Sequence, residues 1–186
     1  MLTEILKLDF KITNLLTNLL PNNQFLKLFF SFFSLKGSSI FIWLIIIAIL
    51  VIFEEKRGKK FIIYFLITFL TTSFLVNIVF KNIFQRPRPT ELSSVKAKLS
   101  LVKVKLSLTT CPKNYSFPSG HAATAFAAAI TLAYFDKKRK YFYYLVAILI
   151  AYSRIYLYCH YFLDVLIGAL VGYAISRLIL LIKYTS

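Results

Sequence analysis

Residues 61–80 read "FIIYFLITFLTTSFLVNIVF", twenty consecutive positions without a charged side chain. A helix rising about 1.5 Å per residue needs roughly that length to cross the hydrocarbon core of a bilayer. Four further apolar runs extend the pattern in both directions. "SSIFIWLIIIAILVIF" (38–53) lies before it; "HAATAFAAAITLAYF" (121–135), "YFYYLVAILIAYS" (141–153) and "DVLIGALVGYAISRLILLI" (164–182) lie after it. With 59% hydrophobic residues and 16% charged ones over 186 positions, a soluble domain could not bury so much apolar surface. The sequence therefore predicts an all-α fold, a polytopic transmembrane helical bundle of five spans, or six if the N-terminal third contributes one.

That third is more mixed. "ITNLLTNLLPNNQFLKLFFSFF" alternates Leu and Phe with Asn and Lys, and Pro21 interrupts it. An interfacial amphipathic helix before Pro21, leading to the first span, fits better than a sixth span. The expected organisation is thus an N-terminal interfacial segment over 1–36 and a single membrane-embedded domain over 37–186. No cleavable signal peptide is read in the opening residues.

The net charge of +16 would suit nucleic acid, but the Lys and Arg residues cluster between hydrophobic spans. That placement favours lipid headgroups, topology control or a phosphorylated substrate, and excludes nucleic acid as the expected partner. "EEKRGKK" (54–60) and "DKKRK" (136–140) would both be cytoplasmic by the positive-inside rule. Loop 81–117 and turn 154–163 then face outward. Loop 81–117 holds eight Lys and Arg, against that tally, but several of them belong to a chemical motif. Inside it, "VKAKLSL" (95–101) and "VKVKLSL" (102–108) are a tandem near-duplication, expected to form a cationic flap or hairpin at the membrane surface. Gly168 and Gly172 make a small-residue face on the last span, expected to serve packing within the bundle rather than dimerisation. A homo-oligomer has no other support in the sequence.

Three clusters carry chemistry. In "KNIFQRPRP" (81–89), Lys81 ends a span and Arg86 and Arg88 each precede a proline, which stops the helix and holds the chain extended. In "NYSFPSGHA" (114–122), Pro118 stands where a helix could start, and Ser119 and Gly120 offer amides at its N-terminus, a ready anion site. His121 is the next residue, placed to exchange a proton. In "SRIYLYCHYFLD" (153–164), His160 and Asp164 are four apart, so on a helix the carboxylate reaches the imidazole and fixes its tautomer. Arg154 and His160 are six apart, so a helix end and turn must lie between them if both reach one ligand. Taken singly, each cluster has a plainer alternative: a snorkelling anchor, a helix cap, a structural ion pair. Together they hold both histidines of the chain and the only acid within a predicted span. Alternation of the spans also brings all three to one side of the membrane. Cations, helix amides, two histidines and an aspartate describe a phosphoryl-transfer site.

These motifs resemble those of the type 2 phosphatidic acid phosphatase family, integral-membrane enzymes that share a site with vanadium haloperoxidases. Lys, six residues, Arg-Pro; Pro-Ser-Gly-His; and Ser-Arg, five residues, His, three residues, Asp all occur here, in order and without substitution, within residues 60–182. The resemblance implies that His160 attacks phosphorus and Asp164 orients it. His121 would protonate the leaving group and then activate water. Lys81, Arg88, Ser119, Gly120 and Arg154 would bind the phosphate, with no metal or other cofactor. Arg86 lies outside the motif and has no assigned role. A haloperoxidase is disfavoured by the apolar spans around the site.

A nucleophile at a span end favours a lipid-linked phosphate whose tail stays in the bilayer. The resemblance favours undecaprenyl diphosphate, with phosphatidylglycerophosphate, phosphatidate or lipid A as alternatives. The expected setting is a plasma membrane of the bacterial inner-membrane kind, with the site outside. A non-catalytic protein that binds anionic lipid would have the cations but no need of both histidines and Asp164. Cys111 and Cys159 both lie on the proposed outer side, where a disulfide could form, but free thiols are the expectation.

Overall fold

The computed structural model describes residues 2–34, 38–53, 60–90 and 111–182. Among these residues there are seven main helices and no strand: α1 (Leu2–Asn18), α2 (Gln24–Ser34), α3 (Ser38–Phe53), α4 (Lys60–Phe84), α5 (Gly120–Phe135), α6 (Lys140–Tyr156) and α7 (Phe162–Ile182). The near-duplication at 95–108, and 54–59 of the first basic connector, lie outside the described residues.

The five apolar runs became α3 to α7, with two helices longer than expected. Helix α4 continues past Phe80 to Phe84, and α6 continues past Ser153 to Tyr156. Within α4, Leu75–Phe80 is wound as a π-helix immediately before Lys81. Such wider turns recur at functional sites, because the extra residue rotates the next turn of the helix about its axis. Helices α4 and α7 are long and apolar enough to cross a membrane; Ile40–Ile52 and α5 are shorter apolar helices.

Helix α5 is the central post, packed against α4, α6 and α7. Its run of alanines is buried, and small side chains let neighbouring backbones approach. The expected role of Gly168 and Gly172 is met within the chain. A Cβ at 168 would sit 2.5 Å from the Ser119 carbonyl oxygen, and one at 172 would collide with the Ala123 carbonyl. Ser176 Oγ adds a hydrogen bond to Ala127 O at 3.2 Å. Phe41, Ile52, Leu70, Leu145, Leu178 and other large apolar side chains face outward, as they would in contact with lipid.

Helices α4 and α5 run in opposite directions. The rings of Tyr64 and Phe135 touch, with centroids 5.7 Å apart, so the start of α4 and the end of α5 share one end of the bundle. The "DKKRK" turn is at that end, where buried Asp136 accepts hydrogen bonds from Tyr143 and Arg139. The motif residues all gather at the other end.

Around Pro21 the N-terminal third breaks into two helices, and Asn23 caps the second by accepting from Leu26 N at 2.8 Å. Helix α2 packs on α6 through Phe30, Tyr152 and Tyr156. Helix α1 contacts α6 and α7 with its amphipathicity inverted. Leu8, Phe10 and Leu15 point outward, whereas Asp9, Thr13 and Thr17 are buried.

Candidate active site

Four chain segments build the site. Lys81 lies buried in the last turn of α4, one turn earlier than the helix end at which the sequence placed it. The helix stops at Phe84, Gln85 takes a left-handed φ of 44°, and the two Arg-Pro pairs come next. Arg88 is then fixed from several directions. Its Nε donates to Asn114 O at 2.7 Å, Nη1 to Cys159 O at 2.8 Å, and Nη2 to Asn114 Oδ1 at 2.6 Å and Tyr115 O at 3.2 Å. Loop 111–119 wraps over this arginine, and Ser116 N donates to Arg86 O at 2.8 Å.

At the start of α5, Ser119 is the N-cap and its hydroxyl accepts from Ala122 N at 3.5 Å. Its own amide donates to Asp164 O at 2.8 Å. Contrary to the expectation from the sequence, the Ser119 N–H therefore holds α5 to α7; the Gly120 amide is the first N–H of the helix end. A Cβ on Gly120 would meet Asn77 Oδ1, from the π-helical turn, at 2.5 Å. His121 is half-buried beside it.

The helix end demanded between Arg154 and His160 is present. Tyr158 N donates to Ile155 O at 2.8 Å and Cys159 N to Arg154 O at 3.0 Å, the paired bonds of a Schellman cap, with Tyr158 in its left-handed position at φ 59°. Arg154 is fully buried; Nη1 donates to Ser34 O at 2.9 Å, while Nε and Nη2 have no partner among the described residues. Leaving charged donors so is expensive, and an anion would satisfy them.

His160 lies in this turn, before α7 begins, so it does not share a helical face with Asp164 as the spacing predicts. Asp164 is instead the third residue of α7, where Oδ2 accepts from Tyr161 N at 2.9 Å in the manner of a capping box. That same oxygen is 3.4 Å from His160 Nδ1, and the ring also meets the Ser116 backbone. On the other side of the ring, Nε2 is 3.0 Å from Arg88 Nη1. A guanidinium has only donors, so this contact requires the lone pair to be on Nε2 and the proton on Nδ1, facing the carboxylate. Burial first, then the charges of Arg88, Arg154 and Lys81, hold this imidazole well below the usual histidine range. The ring is neutral at pH 7, with Nε2 among the cations.

Two features were not foreseen. Cys111 and Cys159 form a disulfide, correcting the expectation of free thiols; the bond ties loop 111–119 to the residue before His160. Arg86, unassigned from sequence, donates to Asp164 Oδ1 at 2.7 Å and to Asp9 Oδ2 at 2.6 Å. Asp9 and Thr13 of α1 also cap α7, accepting from Leu163 N and Phe162 N, each at 2.9 Å. Their signal in the sequence was a polar stripe, Asp9, Thr13 and Thr17, at four-residue spacing in an otherwise apolar helix.

Residues 60–186 match the profile of the PAP2 superfamily. A curated undecaprenyl-diphosphatase of Sulfolobus acidocaldarius is 32% identical over 146 residues, 78% of this chain and 65% of that protein's length. Among solved structures, Aquifex aeolicus LpxE is similar with a TM-score of 0.66 and 29% identity, over 93% of this chain and 94% of that one. A transmembrane PAP2-type phosphatidylglycerolphosphate phosphatase from Bacillus subtilis has a TM-score of 0.69 over 98% of this chain and 87% of its own, with 24% identity. At that identity the last likeness concerns the fold alone.

Proposed function

The chain belongs to the PAP2 superfamily and is an integral membrane protein, and from that premise we propose that it hydrolyses lipid-linked phosphates through a phosphohistidine on His160. The observation that carries this is the orientation of His160: Nε2 is 3.0 Å from Arg88 Nη1, and Nδ1 faces Asp164. In the first step Nε2 attacks phosphorus, and the bond from phosphorus to the leaving oxygen breaks. His121 gives that oxygen a proton. Asp164 stabilises the imidazolium-like ring that results, and Lys81, Arg88, Arg154 and the Gly120 amide take the charge spread over the phosphoryl oxygens. In the second step His121 takes a proton from water as it attacks phosphorus, the N–P bond breaks, and inorganic phosphate leaves.

The substrate proposed is undecaprenyl diphosphate. In support, the site is at the end of the apolar helices, where a headgroup is reachable while its chain remains in lipid, and the curated relative is named for that substrate. Helices α3 to α7 would be the five spans, with α1 along the interface. The site would face the outside of the plasma membrane: the basic turn at 136–140 is at the opposite end, and a disulfide beside the nucleophile suits an oxidising compartment. Phosphate release by the purified protein should be compared for undecaprenyl diphosphate, phosphatidylglycerophosphate, phosphatidate and lipid A, with His160→Ala as control. Turnover in that variant refutes the nucleophile; preference for a glycerophospholipid refutes the substrate; no turnover with any lipid leaves an anionic-lipid-binding protein.

A further inference from the structure

The site includes a charged group that its motifs do not account for. Arg86 lies between two carboxylates, Asp164 Oδ1 at 2.7 Å and Asp9 Oδ2 at 2.6 Å, and its guanidinium carbon lies 4.0 Å over the ring of Tyr161. Asp9 is fully buried, and it comes from α1, outside the stretch that matches the family profile. A buried acid here needs a reason, because desolvating a carboxylate is expensive unless it is paired.

Charge balance supplies the reason. Attack by His160 leaves a cationic ring, which Asp164 must stabilise through Nδ1. An arginine bonded to Asp164 opposes this by drawing on the same carboxylate. With Asp9 on its far side, the arginine is shared, and Asp9, Arg86 and Asp164 together carry one net negative charge. We propose that Arg86 and Asp9 are positioning residues for the nucleophile, Arg86 fixing the Asp164 carboxylate and Asp9 offsetting the arginine's charge so that Asp164 can still support the ring. The inference rests on the phosphohistidine reading. It makes α1 part of the catalytic apparatus.

Among the described residues, the charged and titratable groups around His160 are Lys81 of α4, Arg86 and Arg88 of the segment after it, Arg154 of α6, Tyr158 and Tyr161 of its own turn, Asp164 of α7 and Asp9 of α1, with His121 opening α5. Against this background the two substitutions should act in opposite directions. Asp9→Asn keeps an oxygen for Leu163 N but leaves the arginine uncompensated. It should lower kcat about tenfold or more with little change in KM, and move the acid limb of the pH–rate profile to lower pH, because an added positive charge disfavours protonated His160. Arg86→Gln should also lower kcat but move that limb to higher pH. The double variant restores the net charge and should return the limb close to its wild-type position.

The assay is phosphate release by full-length protein in detergent against pH, with a thermal melt to establish folding. A merely structural role would reduce folded protein or kcat without shifts of opposite sign. Unmoved limbs, or an Asp9→Asn kcat within twofold of wild type, overturn the inference; if Asp9→Asn does not fold, the Arg86→Gln limb decides alone. Wild-type turnover that His160→Ala abolishes keeps these outcomes separate from failure of the phosphatase reading, whereas inactive wild type overturns both.

Discussion

Replacing Gly168 with alanine tests whether the proposed phosphate cradle is positioned by helix contact. The new Cβ would stand 2.5 Å from Ser119 O, 3.2 Å from Ser119 N and 3.3 Å from Ser119 C, all backbone atoms with no rotamer through which to escape. Ordinary van der Waals separation requires α7 and the start of α5 to part by about 1 Å. That parting would stretch the bond from Ser119 N to Asp164 O, now 2.8 Å. It would carry Gly120 and His121 away from His160 and Asp164. Overpacking of this kind costs about 1–3 kcal/mol of stability, but a misplacement of about 1 Å at reacting groups can cost roughly a hundredfold in rate. Gly168→Ala should therefore insert and fold, melt modestly lower, and lose far more kcat than stability. Gly172→Ala is the control: it collides with Ala123 O one turn further from the site, and should lower stability with a smaller loss of rate per folded molecule. Phosphate release and thermal melts on both variants decide the matter. A Gly168→Ala enzyme with wild-type kcat refutes the reasoning, and a change in oligomeric state on size exclusion would show that the glycines serve a dimer instead.

Two further outcomes concern pH and redox state. The pH–rate profile should be bell-shaped, because the proposed mechanism needs His160 neutral and His121 protonated in its first step; a flat profile over the histidine range contradicts the assignment. His160 is held well below 6.5 in the folded chain, so the unfolded chain binds more protons as pH falls below about 6.5. Its share of stability is thus fully present above that pH and lost as pH falls through the window beneath it, and His160→Gln should flatten the fall in melting temperature between pH 7 and pH 5. Reduction of Cys111–Cys159, or replacement of both by serine, should lower the melting temperature and activity together, because loop 111–119 supplies Asn114 and Tyr115 as acceptors for Arg88. Alkylation of two thiols without prior reductant would refute the bond.

How much of this could be read from the sequence depends on the background of each residue. Lys81, Arg88, Arg154, His160 and Asp164 stand out because charge amid apolar runs is rarely kept without use, and the structure brings all five to one end of the bundle. Helix existence was equally legible, since a twenty-residue apolar run has few alternatives. The local path was not. The His160–Asp164 spacing suggested one helical face, but nothing local revealed that α6 would end in a left-handed residue at Tyr158 and push His160 into the turn. Asp9 was hidden for the opposite reason: in "MLTEILKLDFKITNLL" an acid among lysines is unremarked, and its burial is created by partners at Arg86 and Leu163, far along the chain.

The same contacts explain how His160, the proposed nucleophile, can be held still in a turn. Tyr158 adopts a conformation that favours glycine, at a cost of about 1–2 kcal/mol, two residues before His160. A strained turn persists only when its surroundings over-determine it, and here they do so from two sides. On one side, successive turns of α1 hold the segment: Asn14 accepts from the Tyr158 hydroxyl, Thr13 and Asp9 cap Phe162 and Leu163, and Thr17 donates to Ile155 O. On the other, the disulfide and Arg88 hold Cys159 by its sulfur and its carbonyl. In the proposed reaction the motif residues supply the chemistry, but most of the groups that immobilise His160 are outside the motifs. Removing α1 should therefore release the turn that carries His160 even though every motif residue remains.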